Sequence, residues 1–191
     1  MYRIIFATGN AGKMKEIREI LSDLGAEILS MKEAGIRADI VEDGNTFEEN
    51  ALIKAKAVAA LLPEGSNTAV LADDSGLEID YLDGEPGIYS ARYMGEDTSY
   101  RIKNANLIQR LAGVPVEKRT ARFVCAIAAA FPDGSTVIRR GVIEGKIGYE
   151  ERGENGFGYD PIFYLPDMSR TTAELSPEEK NSISHRGRAL Q

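Results

Sequence analysis

The first twenty-five residues constrain the fold more than any other part of this chain. Ile4-Ile5-Phe6-Ala7 is an apolar run of strand length that ends in a polar, glycine-bearing turn, Thr8 to Gly12. From Lys13 onward the apolar period changes. Ile17, Ile20, Leu21 and Leu24 fall at i, i+3, i+4 and i+7, which predicts a helix over 13–24 with Gly25 as its stop. A buried strand that feeds a helix through a tight turn is the start of a layered structure, because the helix must lay its apolar stripe on the sheet. Residues 27–31 read as a second strand.

The remaining pattern is mixed. Thr46 and Glu49 form a capping box ahead of Phe47, Ala51, Ala55, Val58, Ala59 and Leu62, the stripe of a second helix that Pro63-Glu64-Gly65 ends. Ala69 to Ala72 reads as a short strand, Asp73-Asp74-Ser75-Gly76 as a turn at its carboxyl end, and Leu77, Ile79 and Tyr81 as the alternating face of another strand. A helix is predicted over 98–111, capped by Asp97 or Thr98. Phe123, Cys125, Ile127 and Phe131 share one face of a strand over 121–131; Pro132-Asp133-Gly134-Ser135 turns it, and residues 136–147 return. A glycine- and aromatic-rich loop covers 153–164, and Ser176-Pro177-Glu178-Glu179 opens a last helix. Helices and strands alternate in the first half and an antiparallel hairpin stands in the second. The fold class is therefore mixed α/β (α+β), in one domain spanning 1–191 at roughly 100–200 residues per domain.

Charge narrows the function. Lys plus Arg number 23 and Asp plus Glu 30, a net −7. That argues against a polymeric nucleic-acid binder or a membrane-surface binder, and leaves open a phosphate-bearing small molecule held in a pocket. One cysteine, Cys125, makes neither an internal disulfide nor a thiolate zinc site, and points to a reducing, cytoplasmic setting. No leader is expected, since the apolar run at the start is short, and no run approaches the roughly 18 apolar residues of a membrane helix.

Several segments carry chemistry, each with a plainer alternative. Thr8-Gly9-Asn10-Ala11-Gly12-Lys13 lies where helix amides are unsatisfied and an anion is favoured; it reads as a phosphate turn or simply as a helix cap. Asp73-Asp74-Ser75-Gly76 suits Mg²⁺, or the orientation of a water, or is a solvated turn. Glu42-Asp43-Gly44 offers a further carboxylate or is a loop. Lys54, beside Ala51 and Ala55, either snorkels to solvent or is held against phosphate. Gly156-Phe157-Gly158-Tyr159-Asp160-Pro161 offers an aromatic face to a base or is a tight turn that buries its rings. Ser184-His185-Arg186 holds the single histidine, a structural residue or a donor to phosphate or carbonyl oxygen; Cys125 reads as core.

In order, these segments resemble the inosine triphosphate pyrophosphatase family, hydrolases of non-standard purine nucleoside triphosphates. Thr8-Gly9-Asn10 with Lys13, Glu42 ahead of Thr46 to Ala51 with Lys54, Ala72 to Leu77, Pro86 to Tyr93, Gly156 to Pro161, and Lys180 with Ser184-His185-Arg186 carry the likeness. It implies an elongated two-lobed α/β fold with a long mixed sheet, a homodimer, and Mg²⁺-dependent hydrolysis of ITP, dITP and XTP to the monophosphate and pyrophosphate. It implies Asp74 as proton acceptor and metal ligand, Glu42 as the other metal carboxylate and Asp73 as a weaker one. Thr8, Gly9, Asn10, Ala11, Gly12, Lys13, Lys54 and Ser75 would bind the triphosphate. Phe157, Gly158, Tyr159, Asp160, Lys180, His185 and Arg186 would lie on the base side. Members of the family usually continue into a longer terminal helix than the one expected before Gln191. Two other expectations compete: a pyrophosphatase of pyrimidine or modified nucleotides of the Maf-like kind, and a non-catalytic nucleotide sensor.

Overall fold

The computed structural model describes residues 2–191. The elements are β1 (Arg3–Phe6), α1 (Ala11–Ile20), β2 (Glu27–Ser30), α2 (Phe47–Ala59), β3 (Thr68–Ile79), α3 (Tyr100–Arg110), β4 (Thr120–Ala130), β5 (Thr136–Ile147), β6 (Phe163–Leu165), β7 (Arg170–Thr171), α4 (Pro177–Ile183) and α5 (His185–Ala189), with single 3₁₀ turns in several connections. The sheet has seven strands in the order β2-β1-β3-β4-β5-β6-β7. β1 pairs in parallel with β2 and β3, while β6 pairs antiparallel with β5 and β7, so the sheet is mixed.

The chain divides into two compact units, and β3, β4 and β5 contribute residues to both. Among the described residues the first holds 2–74, 125–141 and 186–191. Register explains how it positions polar groups. Phe6 pairs opposite Leu71, and side chains two apart on a strand share a face, so Leu71 and Asp73 project to one side and Val70, Ala72 and Asp74 to the other. Phe6 packs with Cys125, Ile127, Met14 and Ile17 of α1, and Ala189 of α5. Burying such side chains stabilises by about 1.5–3 kcal/mol each.

The second unit holds residues 75–124 and 142–185. Leu77, Ile79, Leu107, Leu111, Phe123, Ile147, Ile162 and Phe163 are in its core. Arg119, 1% exposed, has no carboxylate partner among the described residues: it donates to the carbonyls of Leu111, Ile147 and Gly148 and lies 4.2 Å from the Tyr149 ring centroid. Three charge–dipole bonds satisfy its fork where an ion pair would otherwise be needed.

Several local expectations change. The first helix ends at Ile20 and a 3₁₀ turn, Ser22–Leu24, carries the chain to Gly25, whose φ of 68° makes the stop. Thr46 does cap α2 by accepting from the Glu49 amide, but the Glu49 carboxylate reaches back one residue further, to the Asn45 amide. Ser99 caps α3, one residue later than expected. Asp73 to Gly76 is no turn: the strand runs straight through from Thr68 to Ile79, with buried hydrophobic residues on both sides of the polar insert. On β4 both faces are buried, Val124, Ala126 and Ala128 as fully as Cys125, while Phe131 lies beyond the strand and is exposed. The last helix breaks at Ser184 into α4 and α5.

Candidate active site

In the first unit the turn after β1 is built by short local bonds. Thr8 Oγ1 accepts from the Asn10 amide at 3.1 Å, and Asn10 Oδ1 accepts from the Lys13 amide at 3.0 Å, so Asn10 is the helix cap. The first turn of α1 carries no acidic residue. The amides of Ala11 and Gly12 therefore open toward positive potential that no carboxylate of that turn offsets. Of the two readings, the structure shows the cap: Asn10 caps α1 and leaves a helix end whose amides favour an anion.

Lys13 leads to the buried charges. Its Nζ lies 3.3 Å from Asp73 Oδ1 and 3.2 Å from Oδ2. Arg186 donates to the same Asp73 Oδ2 at 3.3 Å and to Glu16 Oε2 at 2.5 Å. Arg186 is 1% exposed and Asp73 fully buried. Burial alone would push the Asp73 carboxyl up; Lys13, Arg186 and Lys54 outweigh it and hold it well below the usual carboxylate range. The cluster alternates in sign, which is what lets charges stay ionised out of water. Cys125 Sγ sits 4.0 Å from Asp73, and burial with that negative charge pushes its thiol up to about 12, so it is an inert core group.

Asp74 faces the other way. Lys54 of α2 lies 2.9 Å from Glu42 Oε1 and 3.9 Å from Asp74 Oδ1, and joins the two carboxylates. Burial pushes Asp74 up to about 6; Lys54 and Lys13 moderate the rise, and the charges of Glu42 and Asp73 add to it. For Lys54 burial would lower the ammonium, but Asp73, Asp74 and Glu42 prevail and raise it. The loop carrying Glu42 is fixed to α2 by Asn50, 1% exposed, whose Oδ1 accepts from the Gly44 amide at 2.9 Å. A Cβ at Gly44 would stand 2.7 Å from Glu49 Cβ, so only glycine fits.

Among the described residues no three His, Cys, Asp or Glu side chains converge as a ready metal cluster. The pair Glu42 and Asp74 nevertheless fits a hard divalent cation of the Mg²⁺ type, which takes one or two carboxylates and completes its shell from phosphates and water. The decisive detail is Asp74 Oδ2, buried with no hydrogen-bond partner among the described residues. A buried carboxylate oxygen left bare is costly, and a cation or a water's proton would satisfy it.

The second unit holds the aromatic loop. Asp160, 2% exposed, accepts from the Phe157 amide at 2.9 Å and Lys180 Nζ at 2.6 Å on Oδ2, and from Thr172 Oγ1 at 2.8 Å on Oδ1. Its charge thus closes the turn and anchors Lys180, whose ammonium lies 4.9 Å from the centroid of the half-buried Phe157 ring. Gly156 has φ +71°, and a Cβ there would come within 2.1 Å of Asp160 Oδ2. Tyr159 is buried, donates to Ser90 O and meets Tyr100 edge-on at 5.1 Å. His185 stacks on Phe123 at 4.9 Å. Ser75 is partly buried on β3.

The Ham1 family model matches residues 4–191. The chain belongs to the Ham1 family. It is 51% identical to the dITP/XTP pyrophosphatase of Exiguobacterium sibiricum, over 99% of this chain and 93% of that one. It is 49% identical to the dITP/XTP pyrophosphatase of Bacillus subtilis, over 100% and 94%. A solved HAM1 protein from Coxiella burnetii matches with a TM-score of 0.85 at 43% identity, over 100% of this chain and 95% of that one. The resemblance read from the motifs is thus borne out, as is the mixed α/β class.

Against that Ham1 background, two placements are informative. Lys13 and Arg186, expected at opposite ends of a nucleotide, converge on one carboxylate, Asp73. Glu16 was not singled out by the sequence, yet it is 6% exposed and partners Arg186. The available signal was its phase: it sits next to Ile17 and one turn after Lys13, on a helix whose buried face includes Met14 and Ile17. Gly156→Ala is expected to open the Asp160–Lys180 turn and raise KM for purine triphosphates about tenfold or more at nearly unchanged kcat, the loss of roughly 1.4 kcal/mol of binding. Steady-state kinetics check it.

Proposed function

We propose that this Ham1 protein hydrolyses non-standard purine nucleoside triphosphates, ITP, dITP, XTP and dXTP, to the monophosphate and pyrophosphate. The observation that carries the reading is the carboxylate pair Glu42 and Asp74, joined through Lys54, with one oxygen of Asp74 bare and buried. The names of its relatives at about half identity support the same chemistry. Glu42 and Asp74 would hold Mg²⁺. When bound, the cation supplies charge neutralisation at the phosphate oxygens and lowers the pKa of water.

The chain's own groups do the rest. A water aligned by Asp74 attacks the α-phosphorus and gives its proton to Asp74 Oδ2. The bond between the α-phosphorus and the bridging oxygen breaks, and pyrophosphate leaves with the electron pair. A carboxylate pushed up toward 6 by burial is a better base than an ordinary aspartate near 3.9. Lys13, Lys54 and the amides opening α1 stabilise the negative charge that grows on the leaving group. Thr8 to Lys13, Lys54 and Ser75 serve the triphosphate; Phe157, Gly158, Tyr159 and Lys180 serve the base, with Asp160 holding that loop, and His185 and Arg186 complete the set. A donor such as the Lys180 ammonium suits the 6-oxygen of inosine and xanthine and opposes the 6-amino group of adenine. The reading includes a homodimer and a reducing, cytoplasmic setting, the latter supported by the lone buried thiol.

The test is product analysis. ITP with Mg²⁺ is expected to give IMP and pyrophosphate in equal amounts, and excess chelator to stop the reaction, with Mg²⁺ restoring it. IDP and orthophosphate as products would overturn the site of cleavage.

A further inference from the structure

Helix α3 was assigned no part in the site, yet it carries an unusual set of buried polar side chains. Lys103 and Asn104 are each 1% exposed. Lys103 Nζ donates to Ala91 O at 2.8 Å and lies 4.6 Å from the Tyr100 ring centroid. Asn104 Nδ2 donates to Gly158 O at 3.3 Å and to Glu151 Oε1 at 3.1 Å. Tyr100, at the start of α3, meets Tyr159 edge-on and has its ring within 3.6 Å of where a Cβ at Gly158 would stand. One turn of helix therefore floors the Gly156–Asp160 loop with a ring and grips its backbone with one amide.

The amide's orientation is fixed by its partners. Turned over, Asn104 would set its oxygen against a carboxylate and a carbonyl. As it stands, Asn104 Oδ1 is buried and without a partner among the described residues. An apolar residue of similar size would avoid that cost, so the donors are what the position provides. Gly158, at φ +64°, is in a region where glycine's backbone is soft, and an external bond to its carbonyl sets the peptide plane. That plane joins Gly158 to Tyr159, one peptide beyond Phe157.

We propose that Asn104 is a positioning residue for nucleobase recognition: its amide fixes the Gly158 peptide and so holds the Phe157 face ready for a purine. The inference rests on the reading of Phe157 to Asp160 as the base side. It assigns Asn104 no contact with the reacting phosphate, whose candidate residues lie on other elements.

The test is Asn104→Asp, which keeps size and places an acceptor where the donor was. With ITP and Mg²⁺, KM is expected to rise about tenfold or more, kcat to stay within about twofold, and the preference for ITP over ATP in kcat/KM to fall. Inhibition by inorganic tripolyphosphate, which has no base, should be unchanged. If Asn104→Asp does not fold, Asn104→Ser, too short to reach Gly158, is expected to show the same split. An unchanged KM and preference, or equal losses against ITP and tripolyphosphate, would overturn the role of Asn104 alone. Parent protein that releases pyrophosphate from no nucleotide would instead overturn the underlying reading, and this inference with it.

Discussion

Asp74→Asn is expected to lower kcat for ITP by roughly 10²–10⁴-fold, the usual worth of a positioned general base, while the protein stays folded. The substitution keeps the shape of the side chain and its place on β3. On the proposed mechanism it removes the charge that would take the proton and one of the two carboxylates that would hold Mg²⁺. It removes only the looser of the two contacts of Lys54, which lies 3.9 Å from Asp74 and bonds Glu42 more closely. Burial raises the Asp74 carboxyl to about 6, so above that pH the folded protein carries a carboxylate that costs more to ionise there than in the unfolded chain. The sign follows: Asp74 in the parent detracts from stability as pH rises from its unfolded value, near 4, through about 6, and the variant does not. In chelator at pH 7.5 the variant should therefore resist urea as well as the parent or better. Near-parental turnover would end the assignment of Asp74; a large loss of stability would mean that the activity was lost through the fold.

Lys54→Met should cost about 10²–10³ in kcat, as expected for removal of one preorganised charge facing a developing anion. Methionine replaces the buried stem with one of similar length, so packing along α2 is largely kept. Electrostatics change twice. The leaving phosphates lose a cation, and Glu42 and Asp74 lose the ammonium that they share. Without it the Asp74 carboxyl rises further, and the acid side of the pH–rate profile shifts upward. Lys54→Arg, which restores charge with different reach, should recover part of the rate. A rate profile that Lys54→Met leaves in place on the pH axis would contradict the coupling between Lys54 and Asp74.

Much of this site was legible in the sequence because its residues sit at element boundaries that announce themselves. Asn10 and Thr46 are caps, and each opens a helix carrying a lysine that the structure puts among carboxylates. The aromatic loop is marked by glycines, and Gly156 and Gly158 do take positive φ. What was hidden depends on strand geometry and on distant contact. Asp73-Asp74 looks like a turn because two adjacent charges rarely enter a buried strand. Only the alternation of faces shows that the two are separate sites, one neutralised by Lys13 and Arg186 and the other by Lys54. Glu16 and Asn104 were missed for a related reason. A polar residue on a helix reads as solvated until the partner that buries it, Arg186 or Gly158, is placed by the rest of the fold.

The most direct measurement is pyrophosphate release with Mg²⁺ across a matched panel of ITP, dITP, XTP, ATP, GTP, CTP and UTP. Release from ITP, dITP and XTP at least about tenfold faster than from ATP and GTP, roughly 1.4 kcal/mol of discrimination in the transition state, is the expected result. Preferential hydrolysis of pyrimidine triphosphates, or binding of ITP by folded protein with no release of pyrophosphate, would contradict it.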